Sequence, residues 1–214
     1  SVISYSTYMA FWGFGHHMLE GADRLVFASA IDLPAYAVLG VFCGLLGLLL
    51  YKCIHFIESR PLRRMGIPAW LAPGLGGLVV GALGCALPQV MDARYEFLQH
   101  AMAGSLYCDG ATRNWWQWAA LFGLVAVVKC VASAITVGTA RAGGLLGPSV
   151  FIGGAAGACV GAALEALSGG ETPDPLRQSL LAAGMAGVLA AAMRTPMAAI
   201  VMVTEMTGSY GLIV

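Results

Sequence analysis

Residues 143–154 read Gly-Gly-Leu-Leu-Gly-Pro-Ser-Val-Phe-Ile-Gly-Gly, an uncharged glycine-rich loop that runs into an apolar helix. Pro148 suits the first turn of a helix, and the glycines before it allow the backbone to approach a ligand closely. The N–H groups of Leu145 and Leu146 then have no partner inside the helix, which is costly in apolar surroundings. A bound anion at the positive end of the helix dipole would supply that partner. The alternative interpretation is a glycine-rich helix start in a tightly packed membrane protein.

The composition indicates the class of protein. Apolar residues make up 59% of the chain and charged residues only 10%, with a mean hydropathy of +0.80. Soluble domains carry roughly a quarter charged residues, so an integral, all-α membrane protein is predicted. The formal net charge is zero, which argues against nucleic acid as a partner, because binding it requires a concentrated basic face. The six cysteines include no C-x-x-C pair, and we interpret them as packing residues.

Apolar stretches long enough to cross a bilayer as helices recur along the chain. They cover residues 1–19, 33–57, 67–91, 115–139, 146–167 and 179–206. Because proline disfavours helix at the residue before it, Thr195-Pro196 is predicted to divide the last stretch into helices at 179–193 and 196–206. Residues 93–103 are amphipathic and too short to cross, which predicts an interfacial or re-entrant helix. We expect residues 1–214 to be part of one transmembrane domain.

Small residues indicate which helix faces pack together, and loop charges indicate the orientation of the chain in the membrane. Gly153-x3-Gly157-x3-Gly161 and Gly77-x3-Gly81 place glycines at helical spacing, which is typical of faces that pack closely against other helices. Three arginines lie between residues 60 and 64. Because cytoplasmic loops carry an excess of basic residues, we expect this loop on the cytoplasmic side.

Four charged side chains fall inside apolar stretches, where charges are costly and usually functional or paired. Glu165 and Arg194 lie near the ends of their stretches, and we expect them to snorkel to the interface. Lys129 is deeper. It either raises the positive potential near an anion route or pairs with a carboxylate such as Glu205. For Glu205, the preferred interpretation is a residue that caps a buried polar network.

Catalytic motifs are absent from the sequence. It contains no G-x-S-x-G and no H-E-x-x-H segment, and its apolar stretches contain no paired aspartates. His16 and Glu20 share a helix face and lie beside His17, but a metal site needs more ligands than these. We therefore predict a protein that is not an enzyme and that holds no metal and no cofactor.

The loop at 143–154 resembles the G-x-F-x-P signature of the CLC chloride channels and chloride/proton antiporters. A second similarity begins with Ala183-Gly184-Met185-Ala186-Gly187 and continues through Arg194-Thr195-Pro196-Met197 to Val203-Thr204-Glu205-Met206-Thr207. It resembles the family's closing pattern of an A-G-M-A segment, a break at proline and an E-M-T end. Lys129 stands where the family commonly has a basic residue ahead of the signature. The resemblance covers roughly residues 33–214.

The resemblance implies a CLC-like architecture of two inverted halves, in which broken helices meet near the middle of the membrane. This chain is similar to the second half. The resemblance further implies a homodimer in a lipid bilayer, with one anion path per subunit and chloride as the transported substrate. Transport would proceed by channel conduction or by chloride/proton exchange, in the plasma or inner membrane of a bacterium. The family's gating glutamate and its serine and tyrosine ligands have no counterpart in these residues.

In the family, backbone amides at the two positions here occupied by Leu145 and Leu146 hold the chloride. With Gly144, Gly147 and Pro148 they make up the anion-binding site that the resemblance implies. Lys129, Glu205 and Arg141 are the candidates for pathway or electrostatic roles.

Two positions depart from the family pattern. Leu146 replaces the signature phenylalanine, which changes the wall of the path and keeps the backbone donor. Arg141 stands where the family usually has a small or apolar residue. Its charge either strengthens anion binding enough to slow release or attracts anions into an aqueous vestibule.

Two other functions compete with chloride transport. One is a secondary transporter for another small anion, such as fluoride or nitrate. The other is a membrane scaffold whose glycine ladders serve assembly alone. Anion selectivity separates chloride transport from the first, and any anion flux excludes the second.

Overall fold

The computed structural model describes residues 33–59, 71–87, 96–102, 114–140, 143–168 and 174–207. All regular structure within these ranges is helical, which confirms the predicted all-α fold class. The helices are α1 (Leu33–Ser59), α2 (Ala72–Ala86), α3 (Glu96–Met102), α4 (Trp115–Ala140), α5 (Leu146–Ser168), α6 (Asp174–Met193) and α7 (Pro196–Thr207).

Four helices of the described ranges are long and apolar enough to cross a membrane, namely α1, α4, α5 and α6. The first three match the predicted stretches closely, and α6 begins five residues earlier than predicted, at Asp174. The amphipathic segment forms the short helix α3. The predicted stretch 1–19 lies outside the described residues.

The prediction of a membrane-crossing helix at 67–91 is wrong. Its helix, α2, has 15 residues and is therefore about 22 Å long, shorter than the hydrocarbon core of about 30 Å. It ends at Ala86 because Pro88 restricts the preceding residue. That residue, Leu87, has a φ of −137° and a ψ of 87°, outside the helical region.

The predicted break between α6 and α7 is confirmed. Arg194 follows the end of α6 and has a φ of 56°, which is uncommon for a residue other than glycine and costs about 1–2 kcal/mol. The carbonyl of Thr195 accepts the N–H of Ala199 at 3.1 Å, so Thr195 begins the hydrogen bonding of α7. Pro196 is the first helical residue, where its missing N–H leaves no donor unpaired.

α5 lies at the centre of the described bundle, between α4 and α6, and also contacts α1 and α3. Every residue from Ser149 to Ala158 is buried, so this part of the helix has no face directed to lipid or water. α1 is different. Its side chains Val38, Val41 and Leu45 are 61%, 67% and 59% exposed, as expected for apolar groups that face hydrocarbon.

Glycines bring the backbones of α5 and α6 into contact. A Cβ added at Gly153 would lie 2.7 Å from Cα of Met185, and one added at Gly157 would lie 2.5 Å from Cα of Leu181. The predicted packing role of this ladder is confirmed. For the Gly77-x3-Gly81 ladder, no described atom lies within 4 Å of either added Cβ, so close packing of that ladder stays a prediction.

The contacts of Gly153 and Gly157 also define the register of α5 and α6. A step of four residues forward in α5 corresponds to a step of four residues back in α6, so the two helices are antiparallel. The same register can be followed for nine residues, back along the chain from Gly153 and forward along the chain from Met185. At that point the loop at 143–145 lies level with the break at 194–195. The starts of α5 and α7 therefore lie at the same end of the bundle.

Glu165 and Arg177 connect α5 and α6 at the opposite end. Nη1 of Arg177 lies 3.7 Å from Oε2 of Glu165, and the two residues are only 8% and 5% exposed. The expectation that Glu165 snorkels to the interface is therefore wrong. Burial requires a charge partner, because an isolated ion would lose its hydration without compensation.

Replacing Gly153 by alanine is expected to destabilise the fold by about 1–3 kcal/mol, because the added methyl overlaps the backbone of α6 and forces the helices apart. The free energy of unfolding, measured by denaturing-detergent titration, reports the change. Gly81→Ala is the matched control, since its methyl enters open space, and it should leave the stability unchanged or slightly higher. Equal stabilities for the two variants would contradict the proposed backbone contact.

Candidate anion site

The glycine-rich loop leads directly into the first turn of α5. The backbone N–H of Ser149 donates to the carbonyl of Leu145 at 2.9 Å, so helical hydrogen bonding begins at Leu145. Leu146 is the first helical residue. Pro148 lies in the same turn, where the absence of an N–H leaves no donor unpaired. The predicted helix start is confirmed.

Two backbone donors remain at this helix start. Among the described residues, no hydrogen bond is donated by the N–H of Leu145 or of Leu146. Gly147, in contrast, already has an interaction partner. The first turn contains no acidic side chain, so no carboxylate of that turn neutralises the positive end of the dipole. Leu146 is 37% exposed, which leaves its side of the turn accessible.

Gly144 borders open space. It is exposed, its φ is not in the left-handed region, and no described atom lies within 4 Å of the position that a Cβ would take. Neither the backbone conformation nor packing within the described part of the chain requires a glycine here. A glycine at this position leaves room beside the two amides.

Ser149 stabilises the turn in a way that sequence reasoning missed. The residue is completely buried, and its hydroxyl donates to the carbonyl of Leu146 at 2.9 Å. The hydroxyl is therefore used within the helix and does not add a donor to the loop. A serine directly after proline in an apolar helix was the available signal, because such hydroxyls commonly bond back to the preceding turn.

Lys129 lies on α4 and contacts α5. Its Nζ is 4.8 Å from the centroid of the Phe151 ring, a distance typical of a cation–π interaction. Phe151 follows the first residue of α5 by five positions, or about 7.5 Å along the helix axis. This placement favours the interpretation in which Lys129 raises the positive potential near the loop.

Glu205 lies on α7 and is exposed. This exposure gives no support to the interpretation that Glu205 caps a buried polar network, which stays a prediction. The neighbouring buried hydroxyls of Thr204 and Thr207 donate instead to the carbonyls of Val201 and Val203 on their own helix, at 2.8 and 2.9 Å. Glu205 follows the start of α7 by nine positions, or about 13 Å along the axis.

The remaining residues that the sequence singled out do not belong to the described ranges. Arg141 lies outside the described residues, as do His16, His17 and Glu20, so the predictions for them stay predictions. In the described ranges, no three histidine, cysteine or acidic side chains are grouped as a metal would require. The arrangement offers backbone donors, a helix dipole and a nearby ammonium, which suit reversible binding of a small anion.

Known proteins are similar to this chain over most of its length. The sequence family described as "Voltage gated chloride channel" matches residues 1–214. The "Putative chloride channel protein ClcB-like" of Ralstonia nicotianae is 32% identical over 197 residues, which cover 92% of this chain and 43% of that protein. The "Chloride channel protein CLC-e" of Arabidopsis thaliana is 32% identical over 199 residues, covering 87% of this chain and 27% of the plant protein.

The "Voltage-gated ClC-type chloride channel ClcB" of Salmonella typhimurium is 30% identical over 206 residues, or 92% of this chain and 46% of the relative. The chain thus spans less than half the length of these three curated relatives. Because the family match covers residues 1–214, the chain belongs to the voltage-gated chloride channel family.

Proposed function

We propose that the protein transports chloride across a membrane, and that the anion binds where the glycine-rich loop meets α5. The observation that carries this proposal is the pair of backbone N–H groups, on Leu145 and Leu146, that have no acceptor in the described structure. Membership of the voltage-gated chloride channel family supports chloride as the substrate. The names of the bacterial relatives support it as well and do not favour fluoride or nitrate.

The proposed mechanism is binding and passage. The two amides replace part of the hydration shell of chloride, and the dipole of α5, equivalent to about half a unit charge, favours the negative ion. No full charge touches the ion in this arrangement, so binding stays weak enough for release, as conduction requires. Lys129 attracts the anion from a distance. Conduction through a channel and exchange for protons both fit this site.

We propose further that the protein is a homodimer with one anion path per subunit. A homodimer is what the resemblance to the CLC family implies, and Met197 and Val201 on α7, which are 79% and 57% exposed, are available to a partner subunit. The family and the apolar helices make this a membrane protein. The relatives from Ralstonia and Salmonella support the plasma or inner membrane of a bacterium as its location.

Bromide soaked into crystals of the protein is expected to occupy the start of α5, in hydrogen-bond contact with the amides of Leu145 and Leu146. Bromide replaces chloride chemically and is located by its anomalous scattering. Occupation of another site, with this one empty at saturating bromide, would exclude the assignment.

Gly144→Val is expected to block chloride efflux from liposomes while the protein still folds. A Cβ at this position meets no described atom, so we expect the valine side chain to fill the space beside the two amides. Losing even one charge-assisted hydrogen bond weakens ion binding about tenfold. Gly81→Val, which also enters open space but lies on α2, should retain wild-type efflux. Wild-type rates in Gly144→Val would show that the loop is only structural.

Lys129→Gln is expected to weaken chloride binding roughly five- to thirtyfold, because a unit charge about 10 Å away at an effective dielectric constant of about 20 contributes between 1 and 2 kcal/mol. Lys129→Arg keeps the charge and should bind chloride as the wild type does. Calorimetric chloride titrations compare the three proteins. If the glutamine and arginine variants have the same affinity, Lys129 acts through packing and not through its charge.

A further inference from the structure

α1 and α6 pack against each other along a regular seam. Near its beginning, the hydroxyl oxygens of Tyr36 and Ser179 lie 2.6 Å apart. Eleven and twelve residues further along the two helices, a Cβ added at Gly47 would lie 2.6 Å from Cβ of Ala191. Because contacts on both helices advance together along the chain, α1 and α6 are parallel, and their register is kept up to the end of α6.

The seam ends at Arg194, whose guanidinium carbon lies 5.6 Å from the centroid of the Tyr51 ring. This distance is typical of a cation–π interaction. Among the described residues, no carboxylate oxygen lies within 4 Å of this guanidinium, so the ring holds the cation without neutralising it. The φ of 56° would suit glycine without strain, so the backbone conformation gives no reason for an arginine here.

This cation is held within the length of a membrane-crossing helix. Tyr51 precedes the end of α1 at Ser59 by eight positions, or about 12 Å, and α1 is long and apolar enough to cross a membrane. A charge in such a place is costly and is usually functional.

The register of α5 and α6 places Arg194 level with the glycine-rich loop, because residues 143–145 lie beside the break at 194–195. Packed helices have axes about 8 to 10 Å apart. With the length of the side chain included, the guanidinium is therefore about 10 to 15 Å from the amides of Leu145 and Leu146.

Contacts of α4 with α1 give the same level independently. A Cβ added at Gly143 would lie 3.5 Å from Cγ2 of Val137, so the loop stays beside the end of α4. A Cβ added at Gly138, the next residue of α4, would lie 3.6 Å from the carbonyl oxygen of Ile54 on α1. Ile54 follows Tyr51 by three positions, or about 4.5 Å along the axis. The loop and the cation thus lie beside the same short part of α1.

We propose that Arg194 is a pathway residue of the chloride site, and that its guanidinium, positioned by the ring of Tyr51, raises the affinity of the glycine-rich loop for chloride. This inference rests on the proposed function. At about 10 to 15 Å and an effective dielectric constant of about 20, one unit charge changes anion affinity about three- to tenfold once screening by salt is included. Arg194 thereby acts from the α6 side of the loop, as Lys129 acts from the α4 side.

Calorimetric chloride titrations of the full-length protein at low ionic strength compare wild type with Arg194→Gln and Arg194→Lys. The glutamine variant is expected to bind chloride about three- to tenfold more weakly, whereas the lysine variant keeps the charge and should bind within about twofold of wild type. Sodium gluconate at about 0.5 M shortens the Debye length to about 4 Å and should remove the difference. A loss caused only by altered packing would persist at high salt.

Two tyrosine variants test the positioning role. Tyr51→Leu keeps the charge but releases the guanidinium, and should weaken chloride binding about twofold at low ionic strength. In combination with Arg194→Gln it should weaken binding no further than Arg194→Gln alone, because the two residues act as one unit. Tyr36→Leu is the matched control, since it removes a tyrosine from the other end of the same seam, and it should bind chloride as wild type does.

The inference is overturned if wild type and Arg194→Gln have equal chloride affinities at low ionic strength, if the difference survives at about 0.5 M salt, or if lysine does not restore binding. Equal losses in Tyr51→Leu and Tyr36→Leu would overturn the positioning role of Tyr51. A wild-type protein that binds no chloride would overturn the proposed function itself, and this inference with it.

Discussion

Glycine-mediated contact between α5 and α6 lets two helix backbones approach until neither has room for a side chain, at Gly153 and again at Gly157. In a membrane, helices gain no hydrophobic free energy by associating, so dispersion across such a close contact supplies much of the attraction. The contact also determines which residues of the two helices lie at the same level. The loop before α5 and the break after α6 consequently come to one end of the bundle.

The distribution of charge follows from that register. At one end, α5 and α7 both begin, Arg194 interrupts the chain, and Lys129 approaches from α4 by way of Phe151. At the other end, the buried carboxylate of Glu165 pairs with Arg177 and is thereby kept away from the loop. An anion near the start of α5 experiences amide donors, a dipole and a nearby ammonium, with no acidic residue in the first turn.

The glycine-rich loop depends on the same helix contact, because that contact places the start of α5. Among the described residues, no acceptor pairs with the N–H groups of Leu145 and Leu146, and an anion is the partner that we propose for them. At the break, Arg194 has a left-handed φ of 56°, and its side chain is exposed where α6 ends.

The sequence alone predicted most of the helices, the break at proline and the helix start at the glycine-rich loop. Apolar length predicted α1, α4 and α5, and Thr195-Pro196 predicted the break, because both depend on local chemistry: the solvation of side chains and the restriction that proline places on its neighbour. The motif at 143–154 likewise predicted a helix start with unsatisfied amides. The sequence also overestimated α2, because apolar composition does not mark the residue at which a helix ends.

Only the tertiary structure determined which residues of different helices are in contact. Two glycine ladders look alike in the sequence, yet within the described ranges only the one on α5 contacts another helix backbone, since contact depends on which helix lies opposite. Glu165 was expected at the interface and is buried because Arg177 lies across from it. The contact of Lys129 with Phe151 and the position of Arg194 over Tyr51 join residues distant in the chain, and only the packing of the helices determines such distances.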